Sequence, residues 1–225
     1  MMQKIILGGV AIIILAGAGA FYVWSRGADR ETGQNTSNSN QDDTPLINEA
    51  TSMSDTNTQI DKLAVLPIAE MKTNYGTMKI QFYTAEAPEL TKNFIELAQS
   101  GYYNGLTFHR IIPGFVAQGG DPLGTGTGGH SYKGEGEGLA DEAGALALKH
   151  LPGAIAWAKS SLPNSIGSQF YFALDNLTQL DGGYSVFGQM VEGLDVLEKI
   201  GAVETNAADK PVQPVTIESV TISQE

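Results

Sequence analysis

The sequence predicts a mainly β fold, a closed antiparallel barrel carrying two helices, set behind an apolar N-terminal segment and a polar tether. Three observations carry this reading: many short runs of alternating apolar residues punctuated by glycine, only two stretches with helical spacing, and a shift in composition near residue 66. Strands alternating regularly with helices would have implied a parallel βαβ sheet instead, and that rhythm is missing.

The first element in the chain stands outside the barrel. Ile5 to Trp24 contains no charge, and about twenty apolar residues in a helix span about 30 Å, enough to cross the hydrocarbon core of a bilayer. Residues 1–24 are therefore expected to form a membrane anchor. A cleaved signal peptide is the alternative, because Ala18-Gly19-Ala20 offers the small residues a signal peptidase needs. Phe21-Tyr22-Val23-Trp24 carries the apolar run past that point, which favours an uncleaved helix with aromatics near the interface. Lys4 and the N-terminus precede the run, so the C-terminal bulk is expected to be extracytoplasmic, periplasmic or extracellular, and secreted if cleavage occurs. Residues 25–65 are rich in Asn, Ser, Thr, Gln and Asp. Too little apolar surface is available there to offset ordering entropy, and a flexible polar linker is expected.

Residues 66–225 carry the folding pattern. Ile68–Lys72 and Met78–Tyr83 read as two strands around the Asn74-Tyr75-Gly76 turn, with Met78, Ile80 and Phe82 alternating against Lys79 and Gln81. Pro88 opens a helix whose apolar face is Leu90, Phe94, Leu97 and Ala98, and Gly101 ends it. Short strands are expected at Thr107–Ile112, Phe115–Gln118, Ala154–Ala158, Gln169–Leu174 and Ser185–Gln189. The second helix spans about Gly193–Ile200, with Leu194, Leu197 and Ile200 three residues apart, and Val215–Ile222 closes the chain.

Charge and composition exclude several functions. The chain's net charge is −12, and from residue 66 onward nine Lys or Arg face eighteen Asp or Glu. A domain of that sign offers no basic patch to a phosphate backbone, so no nucleic-acid partner is expected. Cysteine is absent, which excludes disulfides and thiolate metal sites. Gly124-x-Gly126-x-x-Gly129 has the spacing of a dinucleotide fingerprint, but it leads into His130-Ser131-Tyr132 and more glycine rather than opening a helix. It reads as a glycine-rich surface loop. His109, His130 and His150 are isolated from one another, and no Gly-x-Ser-x-Gly elbow surrounds Ser131 or Ser168. Neither a metal, a cofactor nor a nucleophile is expected.

Arg110 stands out, as the only arginine after residue 30, among Phe108, Ile111, Ile112 and Phe115. Its five fixed donors need an acceptor, either a structural carboxylate or a ligand, and the residues alone leave both open. If Pro113-Gly114 turns the chain, pairing centred on Gly114 sets Arg110 opposite Gln118 on one face. Phe115 has the wrong parity for that face and can join it only through the loop or a bulge. Gln169 and Tyr171 share one face of their strand, Phe170 and Phe172 the other. His109 alternates with Arg110 and is expected to be a hydrogen-bonded structural histidine on the opposite side.

These residues resemble a known family. FHRIIPGFVAQGGD at Phe108–Asp121, the GTGTGG that follows, GSQFYF at Gly167–Phe172 and LDGGYSVFGQMVEG at Leu180–Gly193 are similar to the cyclophilin-type peptidyl-prolyl cis-trans isomerases, in the same order. The resemblance implies an eight-stranded closed antiparallel barrel capped by two helices, with a groove for proline-containing peptides and unfolded exported proteins. It implies Arg110 as the catalytic arginine with Gln118 and Phe115. It also implies Val116 as pocket floor, Ala158 and Lys159 as backbone beside the substrate, and Gln169, Tyr171, Leu180 and Tyr184 as further substrate contacts. No cofactor is implied. In the unliganded protein Arg110 is then expected to be held by the two glutamines or by water. The departures are Gln179, where many eukaryotic members have tryptophan, Tyr184 for histidine and Tyr171 for phenylalanine. They imply a more polar pocket and weak cyclosporin binding. A membrane-tethered peptide-binding module or holdase without catalysis is the alternative function.

Overall fold

The computed structural model describes residues 66–224. The expected anchor and linker lie outside the described residues, among which no helix is long and apolar enough to cross a membrane.

The alternation of Met78, Ile80 and Phe82 with polar residues is realised in β2 (Gly76–Phe82), which pairs with β1 (Pro67–Thr73) across the expected tight turn. α1 (Pro88–Gln99) buries Leu90, Phe94, Leu97 and Ala98, the expected face. Then follow β3 (Arg110–Ile112), β4 (Val116–Gly119), α2 (Ala143–Ala147), β5 (Ala154–Trp157) and β6 (Phe170–Ala173). A 3-10 turn at Thr178–Leu180, β7 (Val186–Glu192), α3 (Leu194–Gly201) and β8 (Ile217–Gln224) complete the domain.

All eight strands belong to one antiparallel sheet in the order β3-β4-β6-β5-β7-β2-β1-β8. The expected closed barrel is corrected: the outermost strands β3 and β8 do not pair with each other. The segments just before them meet at an isolated bridge between Thr107 and Thr216, where Phe108 N–H donates to Val215 O at 2.9 Å and Ile217 N–H to Leu106 O at 2.8 Å. β3 has only three residues, too short for a full closing ladder. The result is an open, half-barrel sheet pinned at its edges.

The two expected helices are present, and α2 is a third. Its sequence, AGALA, is too short and too uniformly small to show a 3.6-residue period. It is held beside the start of α1, whose first N–H groups lack a side-chain cap of their own. Glu142 supplies it from outside, accepting from Glu89 N–H at 3.2 Å and Leu90 N–H at 3.0 Å. Its negative charge also complements the helix N-terminus.

Strand parity divides the apolar residues into two clusters. Inside lie Met71, Met78, Ile80, Phe82, Phe94, Trp157, Phe170, Phe172 and Phe187, the largest of them stacked or edge-on to one another. On the other face Val116, Ala154, Ala156, Tyr171, Ala173, Leu177 and Val186 form a second cluster, with Phe115, Ala158, Leu180 and Tyr184 partly buried against it. A well-packed second face on a sheet already filled on its first calls for a reason beyond stability.

Candidate active site

Register builds that outer face strand by strand. Arg110 pairs with Gln118, Gln118 with Tyr171, Tyr171 with Ala156, and Ala156 with Val186, a continuous row over β3, β4, β6, β5 and β7. Neighbouring strands lie about 4.8 Å apart, so Arg110 and Tyr171 stand about 10 Å from each other. Val116 opposite Ala173 begins the next row. Ala154, Ala156, Ala173 and Tyr171 are buried on this face, and Phe115, Leu180 and Tyr184 pack against them while staying partly exposed.

The centring of the turn on Gly114 is as the sequence implied. Gly114 takes φ +68°, which glycine adopts without strain, and Phe115 N–H donates to Ile112 O at 3.0 Å. Phe115 thus belongs to the loop rather than to β4, and this is how it reaches the outer face despite its parity.

The glutamines do not hold Arg110, contrary to the sequence expectation. Gln118 Nε2 donates to Gln169 Oε1 at 3.0 Å, and Gln169 Nε2 donates to Gly128 O at 2.8 Å. Arg110 Nε instead stands 3.5 Å from Asp209 Oδ2, with side-chain exposures of 25% and 41%. Nothing in the local sequence pattern marks Asp209. It is placed by a loop in which Asn206 Oδ1 accepts from Ala208 and Lys210, and its own carbonyl accepts from Ile111 N–H at 2.8 Å. Asp209 itself sits at φ +60°, a conformation that aspartate tolerates better than most residues. This carboxylate is neither buried nor locked onto both arms of the guanidinium.

The glycine-rich segment is a loop wrapped around one carboxylate. Asp121 accepts from the N–H of Leu123 at 2.8 Å, Thr125 at 2.9 Å and Gly126 at 2.5 Å. Burial pushes the Asp121 carboxyl up, but the backbone donors outweigh it and lower its pKa on balance. A Cβ on Gly128 would lie 2.3 Å from Asp121 Oδ1, so only glycine fits there and presents its carbonyl to Gln169. His109 packs close by, buried at 7% exposure, and neither ring nitrogen has a hydrogen-bond partner among the described residues. The expected hydrogen-bonded histidine is therefore corrected: Asp121, its nearest acidic neighbour, is already committed to the backbone. Burial lowers the His109 pKa, against the opposing pull of Asp121.

At the far end of the row, Ala158 N–H donates to Gln169 O at 2.9 Å, joining the two flanking segments. Lys159 pairs with Asp141, whose other oxygen accepts from Ser185 Oγ at 2.7 Å, and the Lys159 ammonium lies 5.5 Å from the Tyr184 ring centroid. Tyr184 meets Tyr171 edge-on at 6.1 Å. The expectation of a more polar pocket is corrected at Tyr171. Its hydroxyl is turned away from the groove, 2.9 Å from Nε2 of the fully buried His150. His150 and Asp181 escaped the sequence reading because only the fold brings them together. Gln179 is exposed on the 3-10 turn, beside half-buried Leu180.

The outer face of this eight-stranded antiparallel sheet thus lines up one guanidinium, two amides and a cluster of partly exposed aromatic and aliphatic side chains. Residues 68–222 match the family described as cyclophilin type peptidyl-prolyl cis-trans isomerase/CLD, and the chain belongs to that isomerase family. It is 44% identical over 153 residues to peptidyl-prolyl cis-trans isomerase-like 1 of Aspergillus niger, covering 68% of this chain and 93% of that protein. It is 40% identical over 148 residues to peptidyl-prolyl cis-trans isomerase ppi1 of Schizosaccharomyces pombe, covering 66% and 94%. A Cryptosporidium parvum cyclophilin-type isomerase, solved in the presence of the dipeptide Ala-Pro, superposes with a TM-score of 0.66 at 36% identity, covering 70% of this chain and 99% of that one.

Proposed function

We propose that this chain catalyses cis-trans isomerisation of X-Pro bonds in exported polypeptides, from a membrane-tethered, extracytoplasmic position. The observation that carries the catalytic part is the row Arg110, Gln118, Tyr171 laid across three adjacent strands, on the same face as the partly exposed Phe115, Leu180 and Tyr184. The Ala-Pro dipeptide of the Cryptosporidium relative supports proline as the residue received.

The chemistry follows from the amide. Its partial double bond sets a barrier of about 18–20 kcal/mol, and rotation breaks the conjugation and localises a lone pair on the prolyl nitrogen. A guanidinium aimed at that nitrogen stabilises the twisted state more than either planar one, which is transition-state binding without a nucleophile. The Asp209 contact occupies one side of Arg110 at Nε, where the carboxylate orients the fork. Phe115, Val116, Tyr171, Leu180 and Tyr184 seat the proline ring, while Gln118 and Gln169 hold the flanking backbone. Ala158 and Lys159 line the end of the groove.

Exchange NMR on a short X-Pro peptide with catalytic amounts of the full chain tests this: cis and trans signals, which otherwise interchange over tens to hundreds of seconds, should exchange within about a second. Unchanged exchange would sink the proposal. The tether and the location rest on the uncharged run Ile5–Trp24. External protease on intact cells should release residues 66–225, and complete protection would reject the placement.

A further inference from the structure

One buried imidazole ties β6, at Tyr171, to the turn that carries Leu180. His150 has no exposed surface. Its backbone N–H and its Nδ1 both lie 3.0 Å from Asp181 Oδ1, its carbonyl accepts from Leu177 N–H at 2.9 Å, and its Nε2 is 2.9 Å from the Tyr171 hydroxyl. Asp181 directly follows Leu180, and Tyr184 N–H donates back to Leu180 O at 3.2 Å, so the segment bearing two walls is fastened through Asp181. The Tyr171 and His150 rings lie 8° from parallel, with the hydroxyl directed at the imidazole edge.

The donor roles follow from Asp181. Contacts with His150 and then Lys149 hold its carboxyl down at about 2, so it is an ionised acceptor. Nδ1 therefore carries a proton and donates it to Asp181, which leaves Nε2 to share a hydrogen bond with the Tyr171 hydroxyl. A tyrosine in the pocket wall would otherwise present a hydroxyl to an apolar ring. Here the hydroxyl is consumed below the pocket, and only the ring surface faces the groove.

We infer that His150, with Asp181, is a positioning residue of this active site, fixing Tyr171, Leu180 and Tyr184 as one rigid wall against the proline ring. This rests on the isomerase reading above. Proline remains seated in both the planar and the twisted state, so loosening the wall weakens binding of each equally and appears in KM rather than kcat.

The test is a double-mutant cycle read by steady-state isomerisation kinetics on the full chain, with Tyr171→Phe, His150→Asn and the double variant. Asparagine reaches Asp181 in place of Nδ1 but not Tyr171. Tyr171→Phe in the wild-type background should raise KM about three- to tenfold, the range one neutral hydrogen bond supplies, with kcat within about twofold. In the His150→Asn background the same substitution should change KM less than about twofold, because its partner is already gone. An equal Tyr171→Phe effect in both backgrounds would show the hydroxyl acting on substrate directly and overturn the assignment. Should His150→Asn fail to fold, long-range 15N NMR on the wild type decides: a proton on Nδ1 supports the inference, and an unprotonated Nδ1 refutes it. A wild-type chain without isomerase activity would remove the functional reading itself, and the inference with it.

Discussion

Replacing Arg110 by alanine separates catalysis from architecture, because the two contributions differ in size. The structural part is small: among the described residues the one carboxylate paired with the guanidinium is Asp209 at 3.5 Å, with 25% and 41% of the two side chains exposed. Exposed pairs of this kind contribute about 0.2–1 kcal/mol. For a domain of this size that corresponds to a fall in Tm of at most about 4 °C. The catalytic part is larger, because loss of one preorganised donor to a developing charge costs about 10²–10³ in rate, or about 2.7–4 kcal/mol. Urea denaturation should therefore show near-native stability while exchange NMR or a protease-coupled assay shows kcat/KM reduced by two to three orders of magnitude. Arg110→Lys keeps the charge without the planar fork and should fall between wild type and alanine. A stability loss of about 3–5 kcal/mol, as for breaking a buried ion pair, would return Arg110 to a structural role. A kcat/KM within about threefold of wild type would refute the chemistry.

Three further outcomes are expected. Asp181 has its pKa lowered from 3.8 to about 2, so its contribution to stability is fully present above about pH 4 and lost as pH falls toward 2; Asp181→Asn should flatten that acid limb in pH-dependent urea melts. Gly120→Ala should destabilise the fold by more than about 2 kcal/mol, because φ is +83° and the new Cβ would lie 2.3 Å from Ser168 O; a denaturation midpoint equal to wild type would contradict this. Cyclosporin should bind weakly in calorimetry, since exposed Gln179 stands where many eukaryotic members offer an indole, and nanomolar affinity would contradict the reading.

What was legible in the sequence was local in origin. The Pro113-Gly114 turn sets the pairing centre, and from it the Arg110 to Gln118 register follows. Period-two alternation then separates Tyr171 from Phe170 and Phe172, which lie in different clusters. What stayed hidden depends on segments far apart in the chain. Glu142 caps α1 from 52 and 53 positions away, and His150 reaches Asp181 and Tyr171 only once β5, β6 and the 3-10 turn have assembled. Asp209 sits in a polar loop whose residues resemble those of any solvent-exposed turn. The expectation of a closed barrel failed because strand count and alternation do not determine whether the two edges form a ladder or merely touch.

The strand that carries Arg110 is also the least supported one in the sheet. β3 has three residues, pairs with β4 on one side, and on the other hands Ile111 N–H to a loop carbonyl at Asp209 rather than to another strand. Native-state hydrogen exchange is therefore expected to show protection falling toward this margin, with the amides of β3 and the 206–210 loop exchanging together. Activity and global unfolding are consequently separable on heating. The guanidinium is released when this edge opens, at a lower free energy than it takes to melt the aromatic interior, so the working lifetime of the groove is set by its margin and not by its core.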